Sequence, residues 1–247
     1  MCWRHTTDPY QIVVSELMLQ QTQVERVSIK FPQFIARFPD FAALAAAPLH
    51  DILTVWQGMG YNRRALYLKR CAEIVMHNHH GVLPADVETM STFPGIGRAT
   101  ASSIAAFAFN MPVVFIETNI RRVCIHHFFP ERETVTDNEI IPLVAQTLYR
   151  ENPRVWYWAL MDLGAALKKT VTNPNRRSAH YTRQAPFAGS DREIRGQIVK
   201  RLVTGAGMSY DELLGNLNED AERVRTILAA LEREGLVVRE GTHLYLP

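Results

Sequence analysis

Apolar residues recur at helical spacing along most of the chain up to about Phe187. Between Gln11 and Ile29 they fall at Ile12, Val13, Leu17, Leu19, Val24 and Val27, which predicts a helix over that stretch. Ala42–Ala47 and Leu49–Trp56 read as two short helices, and Arg63–His77 as a longer one. Ala99–Phe109 is so rich in Ala and Ser that it predicts a buried helix pressed against close neighbours. Pro32, Pro39, Pro48, Pro84, Pro94, Pro112, Pro130, Pro142 and Pro153 are read as cuts between these segments.

The polar, basic stretch Asn173–Gly189 has little patterning and reads as a linker, or as a strap laid on another surface. Periodicity restarts at Asp191, with helices expected over Asp191–Val203, Ser209–Leu217 and Asp220–Glu234, the last ended by Gly235. Leu236–Arg239 and His243–Leu246 then alternate around the turn Glu240-Gly241-Thr242, as the arms of a hairpin do. Three helices and a two-stranded wing make a winged-helix pattern. No internal repeat of fixed period interrupts this reading. The expected organisation is a mostly α body at 1–172, a strap at 173–189 and a small winged-helix domain at 190–247.

A chain of 247 residues, 47% of them hydrophobic, is long enough to bury a core. No run approaches the ~20 apolar residues of a membrane span, and MCWRHTTDPY lacks the apolar stretch of a signal peptide. A cytoplasmic protein with no membrane partner is therefore expected. Cys2, Cys71 and Cys124 are odd in number and far apart, which argues against a disulfide framework or an unaided four-thiolate site. His77, His79, His80, His126 and His127 lack accompanying Cys or carboxylate spacing, so they read as solvated and not as a zinc site. With 27 basic against 25 acidic residues, the net charge of +2 names no partner, and a nucleic-acid face would have to come from local clustering.

Four stretches carry candidate chemistry. Phe93-Pro-Gly-Ile-Gly-Arg98 precedes the Ala-rich helix; Gly95 and Gly97 supply turn conformations and close backbone approach, and Arg98 adds charge. The unpaired N–H groups of the following helix make this turn a phosphate site. In Ser15-Glu-Leu-Met-Leu-Gln-Gln-Thr-Gln23, Glu16 sits on a largely apolar helix, where burial would raise its pKa towards that of a general acid. Gln20, Gln21 and Thr22 follow as uncharged groups suited to base edges, although an amphipathic helix with a polar end would account for this block without function. The apolar run Val113–Ile116 delivers Glu117 to a helix start, with Asn119 two residues on; acidic residues favour such starts for dipole reasons alone. A second carboxylate converging with Glu16 would divide acid and charge-stabilising roles. Gly58-Met-Gly-Tyr61, followed by Arg63 and Arg64, suits an aromatic wedge beside phosphate contacts.

Taken together and in order, Trp3-Arg4, SELMLQQTQ, WQGMGYNRRA, FPGIGRATA, ETNIRRV and MDLGA (Met161–Ala165) resemble the helix–hairpin–helix DNA glycosylases, most nearly the MutY-type adenine glycosylases. The resemblance implies a two-lobed helical fold with a cleft into which a nucleotide is flipped. It makes Glu16 the proton donor to a purine N7. Glu117 becomes the group that stabilises an oxocarbenium-like sugar and helps water add, with Asn119 orienting it. Gln21 and Thr22 would lie by the flipped base and its opposite, and Tyr61 would be wedged beside the latter. Trp3, Arg4 and Asp162 match positions near the adenine pocket, and the hairpin at Gly95 and Gly97 would hold backbone phosphate, with Na+ or K+ on its carbonyl oxygens.

Departures from the family pattern are visible. Glu117 stands where Asp is usual, and its extra methylene shifts the carboxylate by ~1 Å, a displacement that can cost about a hundredfold in rate. Ala99 replaces the Schiff-base lysine of bifunctional relatives, so no lyase chemistry is expected. Lys168 stands at the first position for an iron–sulfur ligand and 173–189 holds no Cys, so no cluster is expected; Tyr181 and Phe187 are expected to pack the strap. The winged helix replaces the family's usual C-terminal domain, and the helix ahead of Trp3 is missing or shortened. Arg223, Arg225 and Arg233 are mixed with Glu219, Asp220, Glu222, Glu232 and Glu234, which leaves the module open to DNA or to a protein contact. The resulting expectation is a monomeric, nucleoid-associated monofunctional enzyme that needs no cofactor. It would act on double-stranded DNA with a mispair or oxidised base and remove adenine opposite 8-oxoguanine or guanine. The alternatives are a mismatch thymine or uracil glycosylase and a non-catalytic lesion binder.

Overall fold

Pro9 takes the first helical position and the Asp8 carboxylate accepts the Tyr10 N–H, so α1 starts at Pro9 and runs to Leu19. The computed structural model describes residues 1–205, 207–217 and 219–247. The single helix expected over 11–29 is two. After α1 the chain turns through Gln20–Gln23, with Gln21 left-handed at φ +54°, and restarts as α2, Val24–Arg37. Arg64 explains the break. Its buried guanidinium donates to the carbonyls of Leu17, Met18 and Gln20 at 2.9, 2.8 and 2.5 Å, and to Thr22 Oγ1 at 2.9 Å. A cation on the C-terminal carbonyls ends the helix and complements its dipole. Expected cuts at Pro32 and Pro142 also fail, because α2 and α9 (Asp137–Thr147) run through them. Both prolines, and the Ser28 and Asn138 positions whose carbonyls they deprive of a donor, are exposed, so water replaces the lost bond.

The first lobe continues with α3 (Phe41–Ala46), α4 (Leu49–Trp56), α5 (Arg63–Asn78), α6 (Val87–Ser91) and α7 (Arg98–Phe109). Asp40 and Asp86 cap α3 and α6 through the Ala43 and Thr89 N–H groups, both at 2.7 Å. Phe34, Phe38, Leu44, Ile52 and Trp56 are wholly buried between them. The Ala-rich α7 is buried over nearly its whole length, as its composition predicts, and packs between α1 and α6.

After Asn110, left-handed at φ +53°, an irregular stretch to 117 leads into the second lobe, α8 (Thr118–Phe128), α9 and α10 (Pro153–Thr170). The buried Tyr157 hydroxyl fixes this stretch by donating to the Val113 carbonyl at 2.7 Å and accepting the Phe115 N–H at 3.3 Å. Helices α8 and α10 touch backbone to side chain at Gly164. A Cβ there would lie 2.5 Å from the Asn119 carbonyl oxygen, so no larger residue fits without parting the helices.

The strap begins as a 3₁₀ turn, Pro174–Arg177, and is held by hydrogen bonds. Arg177 donates to the carbonyls of Phe129, Pro130, Arg132 and Ile125, the last three at 2.9, 2.9 and 3.2 Å. The Asn175 amide donates to the Thr118 carbonyl at 2.8 Å, and Val135 forms a parallel bridge with Ser178. Tyr181 and Phe187 do not pack the strap: they are 44% and 61% exposed. The backbone and arginine bonds secure its first half without them.

The C-terminal module has the expected three helices, α11 (Asp191–Thr204), α12 (Tyr210–Leu217) and α13 (Ala221–Glu234), closed by Gly235 at φ +80°. Its wing gains a strand the pattern did not reveal. β1 (Met208–Ser209), β2 (Val238–Glu240) and β3 (His243–Tyr245) form an antiparallel sheet in the order β1-β3-β2, with Leu244 opposite both Met208 and Arg239. Two residues are too few to show alternation. Leu236 and Val237, read as strand, are buried under the sheet instead. The module docks on the first lobe: the His50 N–H donates to the Pro247 carbonyl at 3.0 Å, and Glu234 pairs with Arg63 of α5 as well as Arg195 of α11.

Arg64 also donates to the carbonyls of Met59 and Gly60, at 3.2 and 3.1 Å, so one group closes two turns. Arg64→Lys keeps the charge but cannot span both sets of acceptors. Its denaturant midpoint should fall by the equivalent of about 2–4 kcal/mol at unchanged slope.

Candidate active site

Glu16 lies on α1 between buried Val13, Val14 and Leu17, with its head turned towards α7 and the start of α8. Ser103 Oγ of α7 lies 2.6 Å from its Oε2 and 2.9 Å from the Thr100 carbonyl. One hydroxyl proton cannot serve both acceptors at once. With Glu16 ionised, Ser103 donates to it; with Glu16 protonated, the carboxyl donates to Ser103, whose proton then goes to Thr100. Burial raises the Glu16 pKa to about 7, opposed by the Ser103 bond, while nearby Glu117 raises it and Arg4 lowers it. Glu16 therefore holds a proton near neutral pH and can part with it.

Glu117 is the N-cap of α8. Its Oε1 accepts the Asn119 and Ile120 N–H groups at 2.6 and 2.8 Å, and its Oε2 accepts the Asn119 side-chain amide at 3.3 Å. Arg122, itself buried, donates to Asn119 Oδ1 at 2.6 Å and to the Gly164 carbonyl at 2.7 Å, so the orienting amide is fixed by the close α8–α10 contact. Burial raises Glu117 too, opposed by the two backbone N–H bonds and then by Arg122 and Arg121. Glu117 has more donors and cations around it than Glu16, and these favour its ionised form. Asn119, read as its orienting partner, does contact it.

Around this pair, Arg4 makes a two-pronged bridge to Asp162 at 2.7 and 2.9 Å, with its guanidinium 5.5 Å from the centre of the Trp158 ring, which in turn stacks on Phe107. Trp3 is buried edge-on against Phe31 and lines the core under Arg4. The hairpin is clamped from three sides. The Cys71 thiol donates to the Pro94 carbonyl at 3.1 Å, the Gln20 amide donates to the Gly95 carbonyl at 3.1 Å, and Tyr67 lies beneath Gly95. Gly95, at φ +75°, has no room for a Cβ, which would lie 2.7 Å from Tyr67. Gly97 differs from expectation: its φ of −82° is ordinary and nothing crowds it, so its openness serves only an outside group approaching the α7 N-terminus.

Several residues read as DNA contacts have protein partners. Gln20 is spent on Gly95, and Thr22 accepts from Arg64. Arg63 is turned to Glu234 and away from any phosphate, because the C-terminal module presents that carboxylate to it. Arg64 is structural for the reason given above. Arg98 pairs with Glu88 at the exposed surface, a weak bond that a phosphate can replace. Gln21 and Tyr61 remain at the surface on adjoining turns. Sequence reasoning missed Ser103, Tyr157 and Cys71. A Ser among alanines and a Tyr between tryptophans carry no local mark of what they touch.

A proton donor buried between lobes, beside a hairpin that offers backbone N–H groups, suits an enzyme that draws a nucleotide out of a duplex, and the class so defined is the helix–hairpin–helix DNA glycosylases. Residues 14–141 match the model of the HhH-GPD superfamily base excision DNA repair proteins. The adenine DNA glycosylase of Mycobacterium tuberculosis is 32% identical to this chain over 96% of it and 85% of its own length. That of Mycolicibacterium smegmatis is 34% identical over 80% and 73%. A solved thermostable thymine-DNA glycosylase superposes with a TM-score of 0.62 at 26% identity, covering 67% of this chain and 77% of its own. The chain belongs to the HhH-GPD superfamily of base excision DNA repair proteins.

An iron–sulfur cluster does not fit the residues present. Cys71 and Cys124 are buried in different helices, Cys2 is distant in sequence, and the strap's 3₁₀ turn is tied to α8 by Arg177 and Asn175. Among the described residues no three His, Cys, Asp or Glu side chains gather as a metal site, and no helix is long and apolar enough to cross a membrane.

The Ser103 bond favours the ionised form of Glu16, so Ser103→Ala raises its pKa further. A step that needs protonated Glu16 slows as pH rises through about 7 in the parent. In the variant, the alkaline limb of single-turnover rate against pH should move to higher pH.

Proposed function

We propose that this chain hydrolyses the N-glycosidic bond of adenine mispaired with 8-oxoguanine or guanine, as a monomer working on chromosomal DNA in the cytoplasm. The observation that carries the reading is Glu16, its carboxyl buried between the lobes on Ser103 and its pKa raised to about 7, with Glu117 nearby on the cap of α8. Protonation at N7 makes a purine a better leaving group and does nothing for thymine or uracil. The relatives named adenine DNA glycosylase, matched across most of this chain, support the same choice. The thymine-DNA glycosylase likeness supports a pyrimidine reading on the same scaffold, but a buried acid has no such role there.

In this reading Glu16 delivers its proton to N7 of the flipped adenine. The C1′–N9 bond breaks with its electron pair going to the base, and the Glu117 carboxylate stabilises the resulting sugar cation. Water then adds at C1′ and loses its proton to Glu117. Asn119, held by Arg122, keeps that carboxylate aimed. Arg4 and Asp162 wall the base pocket above the buried Trp3, Gln21 and Tyr61 meet the base opposite while Thr22 stays tied to Arg64, and Gly95, Gly97 and Arg98 hold backbone phosphate. Ala99 supplies no amine for a Schiff base, so the product is an intact abasic site. The glycine carbonyls at 95 and 97 already accept from Gln20 and the Ala101 N–H, leaving one lone pair each. A Na+ or K+ on the hairpin would share them and would add positive charge at the phosphate. Residues 1–172 act as the catalytic body, and 190–247 as a module on its flank that contacts DNA or another protein.

Single-turnover assays on 8-oxoG:A, G:A, G:T and G:U duplexes test this. Excision is expected from the first two, and excision confined to the pyrimidines, or none with duplex affinity retained, would overturn it. Glu16→Gln should lower adenine excision by about 10²–10⁴. Because Glu117 already curls back to cap α8, Glu117→Asp keeps the cap. It should change the rate by less than about tenfold, short of the ~hundredfold loss of a displaced group.

A further inference from the structure

Tyr61 is held in an unusual state for a surface aromatic. It sits at φ +48° between Gly60, at φ +69°, and Asn62, and it is 36% exposed. Two residues from outside the first lobe fix its hydroxyl: Gln184 of the strap and Arg192 of α11, whose Nη1 donates to it at 2.8 Å. Gln184 Nε2 also donates to Gln21 Oε1 at 3.0 Å, so the same amide joins both surface turns. Arg192 is itself braced by the Ala185 carbonyl at 2.7 Å, and its guanidinium lies 5.9 Å from the centre of the Tyr61 ring. Arg64 sits 5.4 Å from that ring.

The bonding count has a chemical consequence. A phenol oxygen accepts through two lone pairs, and here both are engaged by N–H donors, so the Tyr61 O–H is left to donate to a further group. Gln184 has spent its N–H groups inward, and among the described residues its carbonyl oxygen meets no donor. The strap and α11 thus leave Tyr61 with a donor and Gln184 with an acceptor still to be met, on two groups already bonded to each other. Such a pair is complementary to the edge of a nucleobase.

We infer that Gln184 and Arg192 are positioning residues for recognition of the base opposite the excised one: they hold Tyr61 and Gln21 in the geometry that reads it. This rests on the reading of the site as one for mispaired DNA. It gives the C-terminal module a part in substrate choice that its mixed surface charge does not suggest. The module reaches the DNA-facing turns through one arginine of its first helix, and α13 is not required to enter a groove.

The test uses the full chain with Gln184→Ala, Arg192→Ala, Arg192→Lys, Tyr61→Phe and the double variant Tyr61→Phe/Arg192→Ala. Two ratios are read: single-turnover excision of adenine opposite 8-oxoguanine against opposite cytosine, and the Kd ratio for the same two duplexes by fluorescence anisotropy. Each alanine variant and Tyr61→Phe should contract both ratios by about tenfold or more, a change of about 1.4 kcal/mol. The double variant should add little to either single, and Arg192→Lys should recover part of the loss. Ratios left at the parent value overturn the inference, and so does a uniform loss on all duplexes with a lowered Tm, which is the mark of a merely structural module. If the parent excises no adenine, the function proposed above fails, while the Kd ratio still decides the roles of Gln184 and Arg192.

Discussion

A single guanidinium sets the register of the turns around Gln21 and Tyr61. Arg64 sits where the end of α1, the Gln21–Thr22 turn and the Met59–Gly60 turn converge, and it is the common donor to all three. Burial lowers its pKa only to about 10, so it stays charged at neutral pH, and Trp56 lies 5.4 Å beneath it. Helix-end carbonyls buried without a donor would cost free energy, and these are satisfied by the one side chain able to fork towards several at once. Glu16 is placed by the helix that this group terminates, and Tyr61 by the turn that it closes. Acid and surface aromatic are therefore outputs of one packing solution.

The second lobe repeats the device. Arg122 ties Asn119, Gly164 and Asn173 together, and Arg177 gathers the carbonyls at the end of α8 and in the loop beyond it. Arginine does in this lobe what covalent or metal-held closures do in other small helical units. Arg122, with Arg121 beside it, also bears on Glu117. The two carboxylates accordingly meet in different electrical settings: Glu16 has one hydroxyl and apolar walls, and Glu117 has backbone dipoles and fixed positive charge. That asymmetry favours the proton on Glu16 and the charge on Glu117.

Much of this was legible in the residues. Helices α3, α4, α5 and α7 follow their periodicity, α8 starts at Glu117 as read, and Gly95 and Gly235 occupy left-handed turns that other residues resist. Glu16 and Glu117 stood out because a carboxylate in an apolar run needs a reason. What stayed hidden was tertiary. The interruption after Leu19 depends on a side chain 45 positions later, and the partners of Gln20, Thr22 and Arg63 come from segments that no spacing rule connects to them. Pro32 and Pro142 misled because a proline stops a helix only where the deprived carbonyl is out of reach of water. Tyr181 and Phe187 misled because an aromatic in a strap need not face inward.

The bond from Gln20 to the hairpin has a further meaning. The Gln20 amide sits one residue past the end of α1 and grips both the Gly95 carbonyl and the Thr100 hydroxyl, so the helix that bears Glu16 and the hairpin are braced to each other. In the proposed reading, a strand gripped at the hairpin would always be the same stride from the proton. The molecule would then be a caliper of fixed gape, measuring a duplex by whether a displaced base falls at the far jaw.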